Sequence, residues 1–511
     1  MAYFLGIDIG TYESKGTLID EKGNVIATLS QPHGLEMPQP GWYEHDAENV
    51  WWKDFCVLSS GLIKKTGIDA SSIAGVGVSA LNACCVPVDK SCRPLRKAIL
   101  YGIDSRAQKE LAFLNDYYGR EKILAMKGTE MNSEDVIARM LWLKNNEPEI
   151  YEKAYKLCTS STYVTAKLTG EFVVDQYLGK TCFFPIYDDD GNIRVDMVEP
   201  LLAVDKMARC ADSTDVVGYV TKQAAIETGL AEGTPVITGT DDAAAEALSV
   251  GVLSPGDMMI MLGSSMYMIC VVDKPFKDSR LWQSGYLRRR TNTVQGATNN
   301  AGTLTRWLRD NLYPEFVAEE PATGINAYTR MMEKGSAIAP GAEGLLVLPY
   351  FAGERTPIND PNACGVFFGL NLRHTRDHLY RACLEGIGYS IAQHFDILRE
   401  NNVELKNVLA VGGGTKNSLW MQILADVTGH PFQTSAITIG ASYGDALLAA
   451  IGTGAIESFD SLRDIIKEDR IYTPNPDQHI VYKEYQKLFN NLYPATRETM
   501  HALKTIAPSA L

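Results

Sequence analysis

At 511 residues the chain is long enough for two or more domains with substantial cores, and 45% hydrophobic with 22% charged residues is ordinary for a globular protein. A net charge of −14 argues against nonspecific nucleic-acid binding, so an anionic ligand has to be held by local donors. No apolar run reaches the length of a membrane span, and the opening MAYFLGIDIG reads as a strand carrying an aspartate, not as a signal peptide. The 10 cysteines contain no Cys-x-x-Cys, a pattern that fits reduced thiols in a cytoplasmic protein.

In chain order, the pattern predicts strands at 3–9, 15–20 and 25–29, with residues 21–24 as a hairpin turn. A helix over about 47–65 and a strand at 73–78 follow. Spacing predicts another helix over 133–146, with Glu134 and Asp135 in its first turn, where the helix dipole favours acids. A short strand at 236–238 ends at Gly239, and an alanine-rich helix at 243–252 links the halves. Beyond the turn at 255–257 come strands at 258–262, 267–272 and 345–348, and amphipathic helices at 375–401, 417–428 and 479–492. Strand-rich openings with helical sequels in both regions predict an internally duplicated α/β architecture, divided near residues 245–255 into units of 1–248 and 249–511.

Two apolar strands break at a glycine followed by a hydroxyl residue: YFLGIDIGT, ending at Thr11, and MIMLGSS, with Gly263 and Ser264. Such a break frees backbone N–H groups and a hydroxyl for phosphate oxygens, although each taken alone also reads as an ordinary turn. Asp8 lies inside the first strand, where a carboxylate is costly unless it meets a cation or a donor. A third strand breaks into Gly412-Gly413-Gly414 before a helix starting near Asn417, a connection that lets backbone approach a ligand closely. Asn299-Asn300-Ala301 precedes a helix in a way that sets Gly302 beside a flat ligand or simply begins the helix. Asp241 and Asp242 end a strand: one acid there serves as a general base facing a cleft, or caps the following helix, and two adjacent acids can divide those roles.

Together these segments resemble the FGGY family of carbohydrate kinases, within the actin-like, ribonuclease-H-like ATPase superfamily. The ordered match runs from Gly6-Ile7-Asp8-Ile9-Gly10-Thr11 through Gly41-Trp42, Leu262-Gly263-Ser264-Ser265, Asn300-Ala301-Gly302 and Leu348-Pro349-Tyr350. It continues through Gly353-Glu354-Arg355-Thr356-Pro357, Gly365-Val366-Phe367-Phe368-Gly369-Leu370 and Gly412-Gly413-Gly414. The resemblance implies a two-domain actin-like ATPase fold and ATP-dependent phosphorylation of a sugar or polyol hydroxyl in the interdomain cleft. It implies Asp8 as the Mg²⁺-associated carboxylate, Thr11, Lys15, Gly263 and Ser264 near the phosphates, and Gly302, Gly413 and Asn417 as nucleotide contacts. Asp242 falls on the family's base, at the matching spacing before Gly251.

Tyr12 departs from relatives with a second hydroxyl residue there, and Ser264 stands where threonine is usual. At the sugar end, Leu81-Asn82-Ala83 replaces the Gln-Met-His of xylulose kinases, and Tyr101 stands where tryptophan precedes the element Asp104-Ser105-Arg106. Asn82, Asp104, Glu134 and Asp135 are candidate hydroxyl contacts. The expected substrate is a small ketose, a pentulose such as xylulose; a glycerol-type or other polyol kinase and a non-catalytic ATP-binding sensor are the alternatives. The expected partners are a small sugar or polyol, without nucleic acid or membrane, and a homodimer is left open.

Overall fold

Alternation along the first strand decides the layout of the N-terminal half. In the computed structural model, which describes residues 1–506, β1 (Tyr3–Ile9) turns Leu5, Ile7 and Ile9 to one face and Phe4, Gly6 and Asp8 to the other. β2 (Glu13–Asp20) and β3 (Val25–Pro32) complete an antiparallel meander. The Asp20 carboxylate sets the β2–β3 turn by accepting the N–H groups of Lys22 and Asn24. Helix α1 (Lys53–Thr66), preceded by one π-helical turn at Ala47–Trp52, covers the Leu5–Ile7–Ile9 face with Phe55, Leu58 and Leu62. β4 (Ile73–Ala80) then pairs parallel to β1.

The helix expected over 133–146 starts later, as α2 (Val136–Asn146). Glu134 and Asp135 therefore lie in the loop before it. Asp135 is the N-cap of α2 but makes no side-chain cap hydrogen bond; its carboxylate is buried against Lys127 and the Asn132 N–H. β5 (Val216–Tyr219), β6 (Pro235–Ile237) and β7 (Thr240–Asp241) finish a seven-stranded sheet of order β5-β6-β4-β1-β2-β3, with β7 alongside β4. Helix α3 (Asp242–Ser249) leaves it.

The same plan recurs downstream. β8 (Asp257–Leu262), β9 (Met266–Val272), β10 (Trp282–Gly285) and β11 (Asn292–Thr298) form an antiparallel array. Helices α4 (Gly302–Leu312) and α5 (Arg376–Glu400) intervene before β12 (Asn407–Val411), which pairs parallel to β8. Then come α6 (Ser418–Thr428), β13 (Phe432–Ser435), α7 (Ala441–Gly452), β14 (Glu468–Tyr472) and α8 (Pro476–Ile506). The second sheet has the order β10-β11-β9-β8-β12-β13-β14. In both sheets an antiparallel meander is followed by two parallel strands and an antiparallel edge, β5 in the first and β14 in the second. This is the duplicated actin-like α/β fold. Helix α8 extends well beyond the expected 479–492, because apolar residues recur at helical spacing from Tyr482 to Met500.

Helix α7 follows the second sheet in sequence but packs across β1, β2 and β4 of the first. A Cβ on Gly6 or Gly77 would strike the α7 backbone at Ser442 or Asp445, so glycine on the strands and small residues on the helix allow a close approach. Helices α3 and α7 pack on each other, and one apolar cluster joins Phe4, Ala244 and Ala446 to Met259 and Leu409 of the second sheet. The two halves thus share a core at the base of the cleft.

Candidate active site

The alternation that points Asp8 toward α7 also gives it neighbours. Ser79 on β4 directs its hydroxyl at Asp445 Oδ2 of α7 (2.7 Å) and lies 3.2 Å from Asp8 Oδ1. Asp445 is fully buried, and its Oδ1 has no partner in the structure. Burial, with Asp8 beside it, pushes the Asp445 carboxyl well above the usual carboxylate range. Burial also raises Asp8, reinforced by Asp242 and Glu246; Lys15 and the Ser79 hydroxyl pull it down.

The adjacent aspartates divide. Asp241 is the N-cap of α3, its carboxylate accepting the Ala244 N–H at 2.9 Å. Asp242 begins the helix, half-buried, with no other side chain bonded to its carboxylate. Burial, helped by the charges of Glu246 and Glu134 and opposed by the Ala243 N–H, pushes Asp242 up to about 6. Asp242 therefore feels Glu246 and Glu134, and Asp8 feels Asp242 and Glu246. The sequence reading missed Glu246, although it stands one helical turn after Asp242 on the same face. Ser79 and Asp445 were also missed; only their place in the fold reveals them.

Around this cluster, Thr11 Oγ1 is 3.0 Å from the Tyr101 hydroxyl. Asn82 Nδ2 donates to Glu134 Oε2 at 3.2 Å, and Asn82 Oδ1 accepts the Ala83 N–H and the Cys182 thiol. Asp104 is not free to meet a ligand. Arg106 and the Tyr43 N–H occupy both its oxygens, while Arg106 lies 4.2 Å over the Trp42 ring and reaches Glu44. Its side chain is wholly shielded, so Asp104 braces the wall instead of facing the cleft.

On the other half, the Gly263–Ser265 loop is fixed from beneath. The N–H groups of Ala301 and Thr303 reach Ser264 O, and Gly302 N–H reaches Gly263 O. A Cβ on Gly302 would lie 2.5 Å from that carbonyl, so glycine there allows the packing of α4 under the loop. The three glycines after β12 differ too. Gly412 and Gly414 press against Leu262, whereas nothing lies within 4 Å of a Cβ added to Gly413. Asn417 caps α6 by accepting the Trp420 N–H and donates to the Tyr380 hydroxyl, which occupies its amide. Lys15, Glu246, Gly412, Gly413 and Thr415 line a cleft of about 660 Å³ together with Asp469 and Arg470 of β14.

Paired ribonuclease-H-like sheets with carboxylates and glycine–hydroxyl loops at their junction define an actin-like phosphotransferase. The model of the N-terminal domain of the FGGY family of carbohydrate kinases matches residues 3–249, and that of its C-terminal domain matches residues 258–453. The chain belongs to the FGGY family of carbohydrate kinases. It is 28% identical over 513 residues to a xylulose kinase of Bacillus subtilis (strain 168), covering 99% of each chain. It is 27% identical over 502 residues to a gluconokinase of the same strain, covering 96% of this chain and 95% of the relative. Among solved structures it is similar to xylulose kinase from Rhodospirillum rubrum, with a TM-score of 0.89 at 30% identity over 98% and 100% of the two chains. The Plasmodium falciparum glycerol kinase with ADP shares the fold, with a TM-score of 0.84 at 20% identity over 97% and 98%. The chain is accordingly a sugar-kinase phosphotransferase with an alcohol group as acceptor, and use of ATP follows from the family.

Proposed function

We propose that the chain transfers the γ-phosphoryl group of ATP to a hydroxyl of a small ketose, a pentulose such as xylulose, with Asp242 as general base. The observation that carries this reading is the division at the start of α3: Asp241 spends its carboxylate on the helix cap, and Asp242, bonded to no other side chain, has its pKa pushed up to about 6. A base of that strength suits proton removal near neutral pH.

Asp8 fits a role beside Mg²⁺. Among the described residues no three His, Cys, Asp or Glu side chains converge to hold a metal unaided. Mg²⁺ is commonly held by one or two carboxylates together with phosphate oxygens. Mg²⁺–ATP, when bound, supplies the phosphoryl group and neutralises the charge on its oxygens. The exposed Ser264, the Thr11 hydroxyl, Lys15 and the open backbone at Gly413 are the groups that would hold phosphates and nucleotide. Asn82 and Glu134 would orient the sugar so that its hydroxyl meets Asp242, and closure of the halves would exclude water as a rival acceptor.

The test is ADP release by the purified protein with ATP and Mg²⁺ against a panel of pentuloses, hexuloses and polyols. Stimulation by a pentulose above all others is expected. ADP release that no sugar stimulates rules the reading out.

A further inference from the structure

The relatives named above include kinases for an uncharged sugar and for a sugar acid, and the chain's own residues discriminate between those chemistries. The candidate acceptor site carries two acids, Glu134 and Asp242. Glu134 leans over Gly102, where even a methyl group would collide with its carboxylate, and Asn82 holds its Oε2. Asp242 stands close enough to feel that charge.

The cations nearby are committed elsewhere. Arg106 is taken by Asp104 and Glu44, and Lys127 by Asp135. Arg139 lies beneath the pocket, 1% exposed, with its terminal nitrogens turned to the carbonyls of Ala83, Ser133 and Glu134. That grip fixes the Asn82 strand end and the Glu134 loop relative to each other, and the one unpartnered nitrogen, Nε, is buried away from the site. Lys15 belongs to the Asp8 and Glu246 side of the cleft.

We propose that Glu134, oriented by Asn82 and backed by Gly102, is a charge filter. It accepts hydrogen bonds from the hydroxyls of an uncharged sugar or polyol and repels a sugar acid. This rests on the kinase reading above and adds to it a substrate class and the residue that sets it. Like charges brought together without a counter-ion are strongly unfavourable, and removing one of them relieves the repulsion.

The experiment compares kcat/KM for substrates matched in carbon count, xylulose and xylitol against xylonate and glucitol against gluconate. It is done with the wild type, Glu134→Gln and Glu134→Asp, with binding also followed by thermal shift without ATP. The wild type should prefer the uncharged member of a pair by about 100-fold or more, in line with what a repulsive element supplies. Glu134→Gln should shrink that ratio at least about tenfold by admitting the acid, and Glu134→Asp should keep it because the charge remains. A wild type that phosphorylates an aldonate as well as its uncharged partner overturns the filter and leaves the kinase reading standing, as does a Glu134→Gln ratio that does not move. Turnover of neither class overturns both.

Discussion

Asp241 and Asp242 are identical in chemistry and one residue apart, yet the start of α3 gives them different surroundings. Asp242→Asn should lower kcat by about 10²–10⁴-fold, the usual contribution of a positioned base. Asp241→Asn keeps a carbonyl oxygen for the Ala244 N–H and should retain kcat within about tenfold; steady-state rates of the two variants decide between them. Since Asp242 is raised from 3.8 to about 6, kcat/KM should fall with acid below about pH 6, and the pH–rate profile checks this. The same shift has a sign in stability. The folded chain holds the Asp242 proton more tightly than the unfolded chain, so stability falls as pH rises from about 4 to 6 and stays lower beyond. Asp242→Asn should therefore melt above the wild type at pH 7 and lose that advantage near pH 4, read from thermal unfolding at both pH values. These acids were legible because a strand ending in Gly-Thr-Asp-Asp is a local signal. Asp104 is held by Arg106, a near neighbour in sequence, and by the Tyr43 N–H, a partner that only the fold brings to it.

Among the elements, the glycine-bearing connections separate by what surrounds them. Gly302 lies against the Gly263 carbonyl, so Gly302→Ala must displace the second phosphate-type loop. Its ATP KM should rise at least about tenfold with the sugar KM little changed, a split that a general loss of packing would not give. Gly413 has open space before it, so Gly413→Ala should leave the melting temperature within about 1 °C, consistent with a site that needs no repacking. Any rise in its ATP KM would then report a ligand approaching the backbone there. The strands that open each sheet, at 3–9, 15–20, 25–29, 258–262 and 267–272, were legible because period-2 alternation and glycine punctuation are local, whereas the edge strands β5 and β14 were not. The β10–β11 hairpin went unseen: Trp-Gln-Ser-Gly carries little apolar alternation, and its pairing with Asn292–Thr298 defines it as a strand.

Over the whole molecule, duplication was legible as a repeated pattern, but the crossing of α7 was not. An alanine-rich helix carries no mark of which sheet it will cover, and the complementary marks, Gly6 and Gly77, lie more than three hundred residues earlier in the chain. A chain divided between residues 254 and 255 gives a direct check. The fragment 1–254 alone should show little cooperative unfolding, because the Phe4–Gly6–Asp8 face lacks its cover. Co-expressed with 255–511, it should form a complex that copurifies and melts cooperatively. A fragment 1–254 that unfolds cooperatively by itself would show that α7 is dispensable to the first sheet.

The path of α7 also bears on how the protein emerges from the ribosome. Synthesis runs from the N-terminus, yet the first sheet meets its covering helix only after residue 452 has been made and released from the exit tunnel. Through most of translation the nascent chain carries an unfinished apolar face, the kind of surface that holding chaperones bind. The N-terminal half, made first, is thus completed only after most of the C-terminal half has been made.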